Sequence, residues 1–250
     1  MSGPDPVVNV AHHGTVAVVT IDDPARRNAL GPAVVAGLVA TFDAIESDGT
    51  TTAAVLTGAG PAFCSGADTA ALTALARSDD AAERRAVATI YEGFLRVLRS
   101  PLPTVAAVNG PAVGAGFNLA LACDVRIAAV AARFETRFLR IGLHPGGGHT
   151  WLLERAVGPQ AAAALLLFGE RIDGERAAAI GLAWEVVPDA ELLDRAIGFA
   201  SGSTAPIDLL VRTKATLREA PWQPDFATAV EVELDRQAWS LGQGWFPPSP

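Results

Sequence analysis

The stretch Pro103–Ala129, PTVAAVNGPAVGAGFNLALACDVRIAA, constrains the fold more than any other part of the chain. It opens with an apolar run, Thr104–Val108, the length of a buried strand, which Asn109-Gly110-Pro111 breaks. Gly114-Ala115-Gly116 then leads into Phe117–Cys123, which reads as a buried helix, and a second β-like run follows, Val125–Ala129. The order is strand, glycine turn, helix, strand. A glycine turn feeding a helix leaves backbone N–H groups without partners inside the helix, and these stabilise negative charge on a ligand. The same glycines would also let a helix pack tightly on a sheet, and the stretch alone does not choose between the two roles.

A second turn of this kind lies upstream. The short apolar strand Ala53–Thr57 ends in Gly58-Ala59-Gly60-Pro61 and continues to Cys64-Ser65-Gly66-Ala67-Asp68, with a helix expected from about Asp68 or Thr69. Each turn can aim one backbone N–H at a common point, and two such donors make an oxyanion hole. Around these turns the pattern predicts a hairpin from Val7–Ala11 and Thr15–Ile21 and a helix from Gly31-Pro32 to about Glu46. It also predicts a long amphipathic helix over Ala81–Arg99, with Ile90, Phe94, Val97 and Leu98 on one side. Further on, a short strand is expected at Arg133–Thr136, a helical turn at Arg137–Ile141, and helices at Thr150–Val157, Pro159–Phe168 and Gly174–Ile180. Ala183–Val187 is a last short strand, and everything from Asp189 reads as helical. The fold class is therefore α/β: a core over residues 1–188 and a helical C-terminal region over 189–250.

A length of 250 residues suits such a core with an appendage, and a net charge of −8 argues against a nucleic-acid partner. An anionic ligand would have to be gripped by local arginines or lysines and by backbone N–H groups. Cys64 and Cys123 sit in apolar surroundings and read as buried free thiols of a reducing cytosol. MSGPDPVVNV lacks a basic region followed by an apolar core, and the run Ala161–Phe168 is too short to span a bilayer, so the expectation is a cytoplasmic protein with no membrane span. Other chemistries fail on spacing. A G-x-G-x-x-G/A register from Gly114 puts Leu119 at the third small position, no P-loop is present, and Cys64-Ser65 lacks the frame of a nucleophile elbow. His144 and His149 flank Pro145-Gly146-Gly147-Gly148 but lack a third ligand, so no metal is expected.

Five segments, in this order, resemble the crotonase (enoyl-CoA hydratase/isomerase) family. They are Pro24–Leu30 (PARRNAL), Val55–Asp68 (VLTGAGPAFCSGAD), Val108–Gly116 (VNGPAVGAG), Cys123-Asp124 and Gly142–Gly148 (GLHPGGG), and they span nearly the whole chain. The resemblance implies a spiral of strand-strand-helix turns with a C-terminal helical region that mediates a homotrimer or hexamer. It implies an acyl-CoA ligand of lipid metabolism, with no permanently bound cofactor and coenzyme A present as part of the substrate. The thioester oxygen would lie between the N–H groups of Ala67 and Ala115. The same resemblance lays Arg26–Leu30 along the CoA, with Arg26 or Arg27 near its phosphates and Ala29, Ser65, Gly66, Asp68 and Gly114 in the binding region. Asp68 also reads as a cap for the helix after it. Lys214 is a candidate contact to a CoA phosphate, on its own or a neighbouring subunit.

The departures from the family pattern bear on the reaction. Family hydratases work with two glutamates around the substrate double bond; Asn118 stands at one of those positions and Phe138 at the other. An amide does not take a proton at neutral pH and phenylalanine has none to exchange. General acid–base help is worth ~10²–10⁴-fold, so standard water addition should be nearly lost. Candidate replacement bases are Glu135, three residues before Phe138, and His144 in the following loop. Three readings stay open: an enolate reaction with an unusual base, a non-catalytic acyl-CoA binding or carrier protein, and a hydratase or isomerase using Glu135 or His144.

Overall fold

The computed structural model describes residues 7–68 and 80–245. Strands β1 (Val7–His13) and β2 (Val16–Asp22) form the expected hairpin at one edge of a six-stranded sheet. The sheet continues in parallel through β3 (Ala53–Gly58), β4 (Thr104–Val108), β6 (Val125–Ala129) and β9 (Glu185–Val187). A smaller sheet pairs β5 (Pro111–Val113) with β7 (Arg133–Glu135) in parallel and β7 with β8 (Ile172–Asp173) antiparallel. After β4 the chain crosses to β5 and then enters a helix; after β6 it crosses to β7 and then a 3-10 turn, Phe138–Ile141. After β3 the equivalent crossing is a single bridge, Cys64 to Ala112. This repeated strand-strand-helix turn is the spiral that the family resemblance implies.

The central strands are buried on both faces, which is why they read as continuous apolar runs rather than alternating ones. One face carries Ala17, Val19, Leu56, Ala106 and Val108 against α1 (Pro32–Ser47), α2 (Asp80–Arg99), α3 (Ala115–Ala122) and α4 (His149–Leu167). The other carries Val16, Val18, Val55, Val105 and Ile127 against Leu192 and Ala196 of α6 (Leu192–Ala200). Ile90, Phe94 and Val97 of α2 are buried, as the pattern required. Helix α5 (Gly174–Ala179) is followed, beyond β9 and α6, by α7 (Ile207–Glu219) and α8 (Phe226–Leu241).

Several boundaries differ from expectation, each for a local reason. The predicted helices Thr150–Val157 and Pro159–Phe168 are both present within α4: they meet at Gly158, whose φ of 77° lies outside helical space and separates them. β5 and β8 escape prediction because three- and two-residue strands beside Pro and Gly carry no readable period. The helix expected to start at Asp68 or Thr69 falls outside the described residues. No helix among the described residues is long and apolar enough to cross a membrane.

Candidate functional site

Two glycines bring the two turns together. Gly66 has φ +99°, and a Cβ there would lie 2.6 Å from the Val113 carbonyl oxygen and 3.5 Å from the Ala115 nitrogen. Gly116 presses on Cys64 so closely that a Cβ would strike its carbonyl oxygen. With side chains absent, the Ser65–Ala67 turn lies directly on the N-terminus of α3. Arg26–Leu30 is stitched beside it: Ser65 N–H donates to Arg27 O (3.0 Å), Leu30 N–H to Gly66 O (2.8 Å), and Ser65 Oγ to Arg26 O (3.1 Å). Buried Asn28, in left-handed backbone, holds this segment by donating to Ala59 and Ala62 carbonyls (2.9 and 2.7 Å). Neither Ala67 N–H nor Ala115 N–H is spent on an acceptor among the described residues. Ala115 is the first residue of α3, where helix geometry supplies no acceptor.

Both alanines line one cavity of about 210 Å³, together with Gly66, Gly114, Asn118 and Phe138. Ile90, Val113, Ile141 and Leu143 make much of its wall apolar, and Tyr91 and His144 add polar groups. No carboxylate lines it among the described residues. Phe138 is buried and presents its ring edge to His149, with centroids 5.0 Å apart.

Asn118 has a partner that its sequence context hid. Its Nδ2 donates to the Gly146 carbonyl at 3.0 Å, which turns Oδ1 toward the His149 Nδ1. That oxygen only accepts, so Nδ1 carries the hydrogen and Nε2 keeps the lone pair. His149 is 1% exposed, packed edge-on by Phe117 and Phe138, and its Nε2 has no partner. Burial pulls its pKa down to about 4, so the ring is neutral.

Glu135 is placed elsewhere. Its carboxylate is buried and gripped by Arg137, Arg140 and Arg171 at 3.1, 3.3 and 3.2 Å. It lines a neighbouring cavity of about 510 Å³ with Arg27, Arg133 and Arg171, not the one that holds Ala67 and Ala115. Glu135 is therefore not the base of the Ala67/Ala115 cavity: three guanidinium partners commit its oxygens. His144 does line the cavity that holds Ala67 and Ala115, with Nδ1 set 2.7 Å from the Pro145 carbonyl. Arg26 is half-exposed, 3.8 Å from Asp23, and lines neither cavity. Asp68 follows the turn without lining the cavity.

Lys214 does not stand where a CoA phosphate could reach it. It is 7% exposed, and its ammonium donates to the Leu102 carbonyl and pairs with Asp124. Asp124 also accepts from Thr104 N–H and Oγ1 (2.8 and 2.9 Å) and pairs with Arg218 (3.1 Å). A lysine tied into this cluster is not available to a CoA phosphate; it fastens α7 to the starts of β4 and β6. The two cysteines are buried and free, and burial pushes both thiols up to about 12, so neither is a nucleophile at neutral pH. No group of three or more His, Cys, Asp or Glu among the described residues could hold a metal ion.

Comparison with known proteins gives a family and a fold. The enoyl-CoA hydratase/isomerase family profile matches residues 11–237. The chain is 50% identical to the probable enoyl-CoA hydratase EchA14 of Mycobacterium tuberculosis over 241 residues, 96% of this chain and 88% of the relative. It is 34% identical to the 2,3-dehydroadipyl-CoA hydratase of Escherichia coli, over 93% of this chain and 88% of that protein. Among solved structures, an enoyl-CoA hydratase from Polaromonas sp. JS666 superposes with a TM-score of 0.88 at 30% identity, covering 94% and 91% of the two chains. A Thermobifida fusca YX crystal structure in complex with acetoacetyl-CoA superposes with a TM-score of 0.84 at 33% identity, covering 94% and 95%.

Proposed function

The chain belongs to the enoyl-CoA hydratase/isomerase family, and from that premise we propose that it binds an acyl-CoA thioester in the Ala67/Ala115 cavity but lacks the two-carboxylate hydration chemistry. One observation carries the reading: two residues whose N–H groups are unspent among the described residues line a cavity whose described lining contains no carboxylate. A thioester oxygen between the donors gains negative charge as an enolate forms, and preorganised N–H groups stabilise that charge without reorganising. Binding of acetoacetyl-CoA by the Thermobifida relative supports the ligand class. Arg27, beside the Ser65–Ala67 turn, is positioned to meet anionic groups of the CoA.

Apolar residues left exposed on the C-terminal helices, Leu217, Phe226 and Leu234, support a homotrimer or a hexamer built through residues 189–250, with the ligand site in 1–188. Placement of His144 in the cavity favours a second reading, in which a base other than carboxylate sustains slow turnover. A third, a binding or carrier protein without turnover, rests on the apolar Phe138 wall.

The test pairs two measurements on the same samples. Calorimetry with short- and long-chain acyl-CoA esters should show saturable binding. The ultraviolet absorbance of trans-2-enoyl-CoA should fall at least ~10²-fold more slowly than with a two-glutamate hydratase run alongside. Absence of binding, or hydration at the reference rate, overturns the proposal.

A further inference from the structure

Glu135 lies outside the Ala67/Ala115 cavity, so any proton that moves there must come from another group. Three ionisable side chains remain among its described lining residues: Tyr91, Arg137 and His144. Arg137 is paired with Glu135 and stays charged. His144 Nδ1 faces a carbonyl, which only accepts, so that nitrogen carries the hydrogen and Nε2 is left as a basic lone pair.

Tyr91, on α2, is held by the glycine loop. A Cβ on Gly146 would run into its hydroxyl, so the phenol lies directly on the loop backbone. The Gly147 backbone amide beside the hydroxyl favours the phenolate, an effect that burial outweighs. An N–H cannot accept, so this neighbour does not take the phenolic proton. Burial also raises the phenol above its ordinary range and keeps it protonated at neutral pH. The same loop takes the Asn118 amide at Gly146 O, so α2, α3 and the start of α4 all fix one short segment. Tyr91 is thus a preorganised proton donor on the wall of the cavity that holds Ala67 and Ala115.

We propose that Tyr91 is the proton donor of this site, with His144, which also lines the cavity, as the base. The proposal rests on the acyl-CoA reading above. On a trans-2-enoyl thioester, His144 Nε2 takes one proton from water as the water oxygen bonds to the β-carbon. The π electrons of the double bond shift to the thioester oxygen, held by the Ala67 and Ala115 N–H groups. The enolate collapses, its α-carbon takes the Tyr91 proton, and the tyrosinate regains a proton from the imidazolium through solvent. The sum is the addition of one water. The same Tyr91 step would quench any other enolate formed there.

Tyr91 is the chain's single tyrosine, which makes the test specific. Wild type, Tyr91→Phe and His144→Gln are compared by calorimetry with a saturated acyl-CoA and by absorbance with trans-2-enoyl-CoA. Both variants should keep wild-type affinity within about 2-fold and lose ~10²-fold or more in turnover. The double variant should be little worse than either, because the pair acts as a unit. Uniform 3-fluorotyrosine labelling replaces Tyr91 alone, and its fluorine resonance should shift when acyl-CoA binds. That readout keeps the test decisive should Tyr91→Phe fold poorly. Turnover retained in Tyr91→Phe, a fluorine signal that ignores bound ligand, or intact binding with no wild-type turnover would each overturn the proposal. Absence of acyl-CoA binding to the wild type would instead overturn the reading of the site itself.

Discussion

Acidification should destabilise this protein through His149. The ring is 1% exposed, and burial lowers its pKa from 6.5 to about 4. Above pH 6.5 the imidazole is neutral in both folded and unfolded chains and contributes no pH dependence. As pH falls below 6.5, the unfolded chain takes up the proton first, which favours unfolding. At pH 5 the loss is about 2 kcal/mol; it saturates at about 3 kcal/mol once pH falls below 4, where the folded ring also protonates. The structural reason is that a charged ring would need an acceptor for Nε2–H, and that atom has none. Urea denaturation at pH 7 and pH 5, at fixed protein concentration, is compared for wild type and His149→Gln. The variant cannot titrate at this position, so its stability should drop by about 2 kcal/mol less than the wild type over that interval. Equal drops would refute the reasoning and mean that His149 is solvated or ionised in the fold.

Further outcomes follow from the same geometry. Ala115→Pro deletes one oxyanion donor at the first residue of α3, where proline is tolerated, and should lower any turnover ~10²–10³-fold with the circular dichroism spectrum unchanged. Lys214→Met should destabilise the chain by about 2 kcal/mol in denaturant, less than a fully buried pair because Asp124 is 25% exposed, and should leave acyl-CoA affinity unchanged. Glu135→Gln should lower the melting temperature, by leaving Arg137, Arg140 and Arg171 facing one another, without changing the rate of enoyl-CoA consumption.

Parts of this arrangement were legible in sequence and parts were not. β3, β4 and β6 announced themselves because strands buried on both faces need continuous apolar runs, and the two glycine turns announced themselves because side chains cannot fit between Gly66, Gly116 and their neighbours. Asn118 and Phe138 were found by position in a pattern, but the partner of Asn118 was not. His149 lies 31 residues away and reads as a lone histidine beside a glycine loop; only the fold sets it against Asn118. Tyr91 was hidden for a different reason. It sits beside the apolar stripe of an amphipathic helix, where an aromatic reads as packing, and its single hydroxyl gains meaning only against Gly146 and Gly147. Glu135 stood as a candidate base by its type and position; of the guanidinium groups that hold it, Arg137 is its near neighbour in sequence, while Arg171 comes from a distant segment and was invisible as a partner. Lys214 misled likewise: a helical lysine reads as surface until Asp124, from the start of β6, is placed beneath it.

The central claim is that Ala67 and Ala115 together hold a thioester oxygen. A crystal structure of this protein with acetoacetyl-CoA tests it most directly. The account predicts the thioester oxygen about 2.7–3.1 Å from both backbone nitrogens, with the acyl chain against Phe138 and within reach of Tyr91. A thioester oxygen bound away from either nitrogen, with the two turns unchanged, would contradict it.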